Sequence, residues 1–106
     1  MKLIDLITLF REGATFENFC NEQALNAESE VIEIYAQAPV SLEAQLAFFP
    51  IEETEGRTEF QSEGMLYRNL FDFFYFLEVI KDLNDSEGPT NSELAQKLFR
   101  YAIKDA

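Results

Sequence analysis

The chain has 106 residues, 47% of them hydrophobic, and 20 acidic against 8 basic residues give a net charge of −12. This length suits a single domain that buries about two thirds of its unfolded surface; the apolar content excludes a disordered tail, and no apolar run reaches the roughly 18–20 residues of a membrane span. From Glu12 to Gly56 there are ten acids (Glu12, Glu17, Glu22, Glu28, Glu30, Glu33, Glu43, Glu52, Glu53 and Glu55) and no Lys or Arg, which disfavours nucleic acid and anionic membranes as partners and favours a basic protein.

In chain order, Lys2 to Arg11 predicts an amphipathic helix with Leu3, Ile4, Leu6, Ile7 and Phe10 inward and Gly13 as its stop. Asp5 interrupts this apolar stretch and no small-residue cleavage site follows, so it reads as part of the mature fold of a cytoplasmic protein. Thr15 then caps a second helix in which Phe16, Phe19, Cys20 and Leu25 share a side, closed by Asn26. The single Cys20 forbids an internal disulfide and fits a reducing compartment. With no histidine in the chain to act as its base, Cys20 reads as a core thiol and not as a nucleophile.

The next segment, 28–37, is open between a helix and a strand rich in Val31, Ile32, Ile34 and Tyr35. Pairs at i, i+3 and i+4, such as Val31 with Ile34 and Tyr35, favour the helix. Pro39 breaks it, and Ser41 caps a short helix through Leu42, Leu46, Ala47 and Phe49 that Pro50 stops, with a strand over 46–51 as the alternative. From Ile51 to Gly64 the sequence turns polar, and a short hairpin using Thr58, Phe60, Leu66 and Tyr67 closes around Gln61 to Gly64.

Met65 to Leu83 predicts the central helix, started by Asn69 as cap with Asp72 reaching back toward it. Its phenylalanines (Phe71, Phe73, Phe74 and Phe76) mark the hydrophobic centre, and Phe74→Ala is expected to cost about 3–5 kcal/mol if that ring is fully buried. Beyond the loop NDSEGPT, Thr90 and Glu93 form a capping box for a last helix with Leu94, Leu98, Phe99, Ala102 and Ile103 inward. The fold expected is mainly α (α+β): one domain over residues 1–106, with roughly five or six helices bundled around a Phe-rich central helix and one short β-hairpin.

The residues for most chemistry are missing. Without histidine, a cysteine pair, a phosphate-binding glycine loop or a G-x-S-x-G turn, the chain lacks the parts for zinc hydrolysis, phosphate-loop chemistry and Ser or Cys triads. No catalytic residue and no cofactor is expected. Asp82, Asn84 and Ser86 alternate as calcium ligands would, with Glu93 in twelfth place, but glycine falls seventh (Gly88) where that loop wants it sixth. An ordinary interhelical loop is the plain reading, and no metal is expected.

A contact surface remains. Glu52, Glu53, Glu55, Glu59 and Glu63 lie within twelve residues, beside Phe60 and Tyr67. Carboxylates around aromatic anchors suit capture of Lys and Arg on a cationic partner; the plain alternative is a solvated run of charge. Charge reversal at Glu52, Glu53 and Glu55 is expected to weaken partner binding and leave folding intact.

The segment FFPIEETEG…EGMLYRNLF, in a small, acidic, histidine-free domain, resembles immunity proteins of bacterial polymorphic toxin systems, including those of contact-dependent growth inhibition. The resemblance implies a specific inhibitor that forms a heterodimer with a cognate toxin domain, often a basic nuclease of RNase type, and covers its active site. Two other classes are an acidic nucleic-acid mimic or adaptor that binds basic proteins, and an enzyme that would need a pocket with two converging acids.

Overall fold

The computed structural model, described over residues 1–84 and 88–104, runs in the order α1 (Leu3–Arg11), α2 (Phe16–Glu22), β1 (Ile32–Gln37), β2 (Leu46–Pro50), α3 (Ile51–Thr54), β3 (Glu59–Ser62), β4 (Met65–Asp72), α4 (Phe73–Asn84) and α5 (Asn91–Lys104). The strands form one antiparallel, curled sheet in the order β2-β1-β4-β3. The fold is therefore α+β with a substantial sheet, which corrects the mainly α bundle expected from the sequence. No helix among the described residues is long and apolar enough to cross a membrane.

Three stretches read as helix are strands, each for an identifiable reason. In β1, Ile32, Ile34 and Ala36 join the main core, while Glu33 and Tyr35 are buried on the opposite face. A strand covered on both sides shows no alternation of polarity, and its dense apolar run satisfies helical spacings just as well. In β2, Phe48 packs on Phe19 at 5.1 Å within the main core, whereas Phe49 packs on Tyr35 at 5.4 Å on the other side. In β4 the ladder to β1 slips between Ile34, opposite Phe71, and Tyr35, opposite Asn69. Leu70 is the extra residue of this bulge, so Leu70 and Phe71 are buried side by side and the period of two is broken.

The central helix consequently has its cap three residues beyond the expected one at Asn69. Asp72 is its cap, with its Oδ1 accepting the Tyr75 N–H at 2.7 Å, while Asn69 lies within β4. Starting at Phe73, the helix turns Phe73, Phe76 and Ile80 into the core and leaves Phe74 48% exposed, against 0% for Phe73 and Phe76. The expectation that Phe74 anchors the core is thus overturned, because the buried stripe follows the real start of the helix. Asp72→Ala is expected to cost about 1 kcal/mol through the lost cap, measurable as a shift of the urea midpoint with unchanged slope.

The terminal helices form where their caps place them. Thr15 Oγ1 accepts the Asn18 N–H at 3.2 Å. Thr90 and Glu93 bond reciprocally at 3.1 Å, which holds the Glu93 carboxyl below its usual range. Around Phe73 the core gathers Phe10 at 5.5 Å, Phe16 at 5.0 Å, Phe19 at 5.4 Å and Phe76 at 5.6 Å. The calcium-like alternation uses Ser86, which lies outside the described residues; among those described, no acidic group is arranged to hold a metal ion.

Candidate partner-binding surface

Opposite the helical layer, the sheet carries a second, smaller aromatic group. Phe49 meets Phe60 at 5.1 Å and Tyr67 at 5.3 Å, and Tyr35 lies beneath them, 5.4 Å from Phe49. Phe49, Phe60 and Tyr67 are half-buried. This apolar set sits beside the acidic segment because β2 leads directly into α3 at Pro50.

A buried polar network ties that segment down. Glu33, 7% exposed, accepts the Thr54 hydroxyl on Oε1 and the Asn69 side-chain amide on Oε2, both at 2.7 Å. The Tyr35 hydroxyl donates to the Arg57 carbonyl at 2.7 Å, and burial pushes the Tyr35 phenol above its ordinary range. Strand β1 thus holds both ends of the 54–57 turn, and β4 contributes Asn69. The sequence signal for this arrangement was a lone glutamate inside the apolar run VIEIYA. Only strand pairing, which sets Asn69 beside Tyr35 across the β1–β4 ladder, explains how its charge is satisfied.

The expected site residues are divided by this geometry. Glu52, Glu53 and Glu55 lie together on α3 and its C-terminal turn, all exposed. Glu52 accepts a hydrogen bond from the Ser29 hydroxyl and another from the Glu30 N–H at 3.1 Å, and these bonds hold its carboxyl below the usual carboxylate range. Its role is therefore partly structural, which corrects the expectation that reversing its charge leaves the fold untouched. Glu55 adopts a left-handed backbone with φ 57° and stands 3.8 Å from Arg57.

Phe60 and Tyr67 face each other across the β3–β4 ladder on the aromatic side. Glu59, one residue earlier, projects to the opposite face, where its ladder partner is Arg68. Glu63 occupies the hairpin tip, followed by Gly64, with φ 51° and 82°. The structure thus joins the three α3 acids into one patch and the two rings into another, and leaves Glu59 and Glu63 at the hairpin margin. Phe49 joins these rings, a placement set by its position on strand β2 opposite Glu33 and not by any helical spacing.

Among the described residues, clefts open on the surface at two places of note. One, of about 280 Å³, lies between β4, the start of α4 and α5, with Asp72, Asn69, Thr58, Tyr75 and Tyr101 in its lining. Tyr75 and Tyr101 stack there at 4.8 Å. The other, of about 220 Å³, lies along α5 and includes Glu93, Lys97 and Arg100. Each cleft is lined by one carboxylate, Asp72 in the first and Glu93 in the second.

Cys20 is fully buried in α2, and desolvation pushes its thiol above the ordinary range. Since the thiolate is the reactive form, native protein is expected to resist a maleimide reagent at pH 8 and to react promptly once urea unfolds it. Rapid labelling of the folded chain would contradict this placement.

Comparison of the chain with protein-family models, curated proteins and solved structures finds no match.

Proposed function

We propose that the chain is an immunity protein that binds and neutralises a cationic toxin domain, a basic nuclease of RNase type, through the surface formed by α3 and the adjoining aromatic face of the sheet. The observation that carries this reading is the open charge of that surface. Glu53 and Glu55 are exposed, and among the described residues the base within ion-pair reach of this patch is Arg57, 3.8 Å from Glu55. Such an exposed pair contributes little. Lys97, Arg100 and Lys104 are exposed on α5, in the helical layer, and among the described residues none of them forms an ion pair with an α3 carboxylate. Half-buried Phe60 and Tyr67 supply the apolar contact that a purely solvated charge run would lack.

The test takes the product of the gene adjacent to that of this chain as the candidate toxin. The complex is expected to be nanomolar or tighter, with association that slows steeply as salt rises from about 0.05 to 0.5 M. Glu53→Lys combined with Glu55→Lys is expected to slow association by about tenfold or more with an unchanged melting temperature, Glu52 being spared because of its bonds to Ser29 and Glu30. Absence of a complex, or binding indifferent to salt, would refute the reading. Equal binding to several DNA- or RNA-binding proteins, reversed by polyanions, would instead identify an acidic nucleic-acid mimic.

A further inference from the structure

The two edges of the sheet are finished in different ways. Along an antiparallel ladder, residues that bond within the pair alternate with residues whose N–H and C=O point away from it. On β2 the bonded phase is set by Gln37 N–H to Gln45 O and by Ile51 N–H to Val31 O, both 2.8 Å, so Leu46, Phe48 and Pro50 point outward. Leu46 N–H already donates to Met1 O at 2.8 Å, and Pro50 has no N–H to offer. Of the donors on that edge, only the Phe48 N–H remains outward.

Strand β3 differs. Asn69 N–H donates to Thr58 O at 2.8 Å, and the two-residue turn at Glu63 and Gly64 closes on the Ser62–Met65 pair. Thr58, Phe60 and Ser62 are therefore the bonded positions, and Glu59 and Gln61 direct both backbone groups outward. Among the described residues, no strand pairs with β3 on that side. Four backbone groups thus stand free on two residues about 7 Å apart. Met65 and Leu66, 38% and 44% exposed, flank them at the end of the hairpin.

An open edge of this kind pairs with another strand unless its side chains prevent it. Here Glu59 and Glu63 are exposed along it, with Arg68, half-buried, as the base opposite Glu59. A second copy of the chain would bring the same carboxylates and its own net charge of −12 to the contact. An extended strand bearing Lys or Arg meets them with opposite charge. We propose that the β3 edge receives such a strand from the toxin as the fifth strand of the sheet. This proposal rests on the reading of the chain as a toxin inhibitor, and it specifies main-chain pairing as the mode of capture.

Gln61→Pro removes the outward N–H and places a ring toward the incoming strand, yet spares the ladder bonds of Phe60 and Ser62. With the adjacent-gene product as probe, its affinity is expected to fall by about 100-fold, whereas Gln61→Ala keeps the parent's affinity. In the parent, the Glu59 and Gln61 amides are expected to exchange rapidly when free and to become protected in the complex, a readout that does not depend on how the proline variant folds. Unchanged exchange at these two amides, or equal binding by Gln61→Pro, would overturn the edge assignment and leave the toxin reading standing. A parent dimer made monomeric by Gln61→Pro would assign the edge to a second copy and overturn the proposal. Failure of the parent to bind the probe at all would remove the toxin reading itself, and this proposal with it.

Discussion

Phe73→Ala is expected to destabilise the protein by about 3–5 kcal/mol, while Phe74→Ala, one residue later, is expected to cost less than about 1 kcal/mol. Both side chains have the same chemistry; only the phase of α4 separates them. Phe73 is completely buried and touches rings from three other elements: Phe10 of α1, Phe16 and Phe19 of α2, and Phe48 of β2. Removing it leaves a cavity at the junction of helices and sheet that no single neighbour can refill. Phe74 is half exposed and approaches one ring, Phe16, at 5.9 Å. For a domain of about this size each kcal/mol shifts the melting temperature by roughly 4–8 °C, so thermal unfolding distinguishes the two variants easily. Equal losses would mean that α4 is rotated from the orientation described.

Glu33→Ala is expected to cost about 2–4 kcal/mol. The carboxylate is buried without an ion-pair partner among the described residues and is held by neutral donors, Thr54 and Asn69. Truncation removes the acceptor from both donors, and the Thr54 hydroxyl, which is fully buried, has no water to replace it. Glu33→Gln keeps one oxygen and the shape, and is expected to cost about 1–2 kcal/mol, since one donor then meets an NH2 group unless the Asn69 amide turns over. Hydrogen exchange adds a local test. Backbone amides over 54–58 are expected to exchange faster in Glu33→Ala, because Thr54 is the link between that turn and β1. A loss below about 0.5 kcal/mol with unaltered exchange would show that the network does not hold the α3 segment.

This second variant also bears on function. If α3 presents the acidic patch to a partner, loosening its anchor weakens binding without changing any exposed charge. The α3 carboxylates and Glu33 are all glutamates of the base-free stretch, yet they do different work. Glu53 and Glu55 face water, Glu52 bonds to the 29–30 backbone and hydroxyl, and Glu33 is an interior strut.

Local codes were legible where a few adjacent residues decide the outcome. Thr15, and Thr90 with Glu93, announce helix starts because a cap needs only a side-chain oxygen within three residues of a free N–H. The hairpin near Gly64 was legible for a similar reason, since its turn requires two residues with positive φ. The strands were not, because their identity depends on what covers them. Residues 32–37 are a central strand buried on both faces, and the bulge at Leu70 places two apolar residues in succession, so neither shows the alternation of a half-exposed strand.

The candidate surface follows the same division. Composition alone established a strongly acidic chain with a long stretch free of bases, because charge counts do not depend on conformation. Which acids face a partner, which one is spent inside, and which sheet edge stays open were decided by tertiary structure. These follow from the register between strands distant in sequence: pairing Tyr35 with Asn69 sets the surroundings of Glu33, and pairing Thr58 with Asn69 turns Glu59 and Gln61 outward. No short window of sequence contains both members of such a pair.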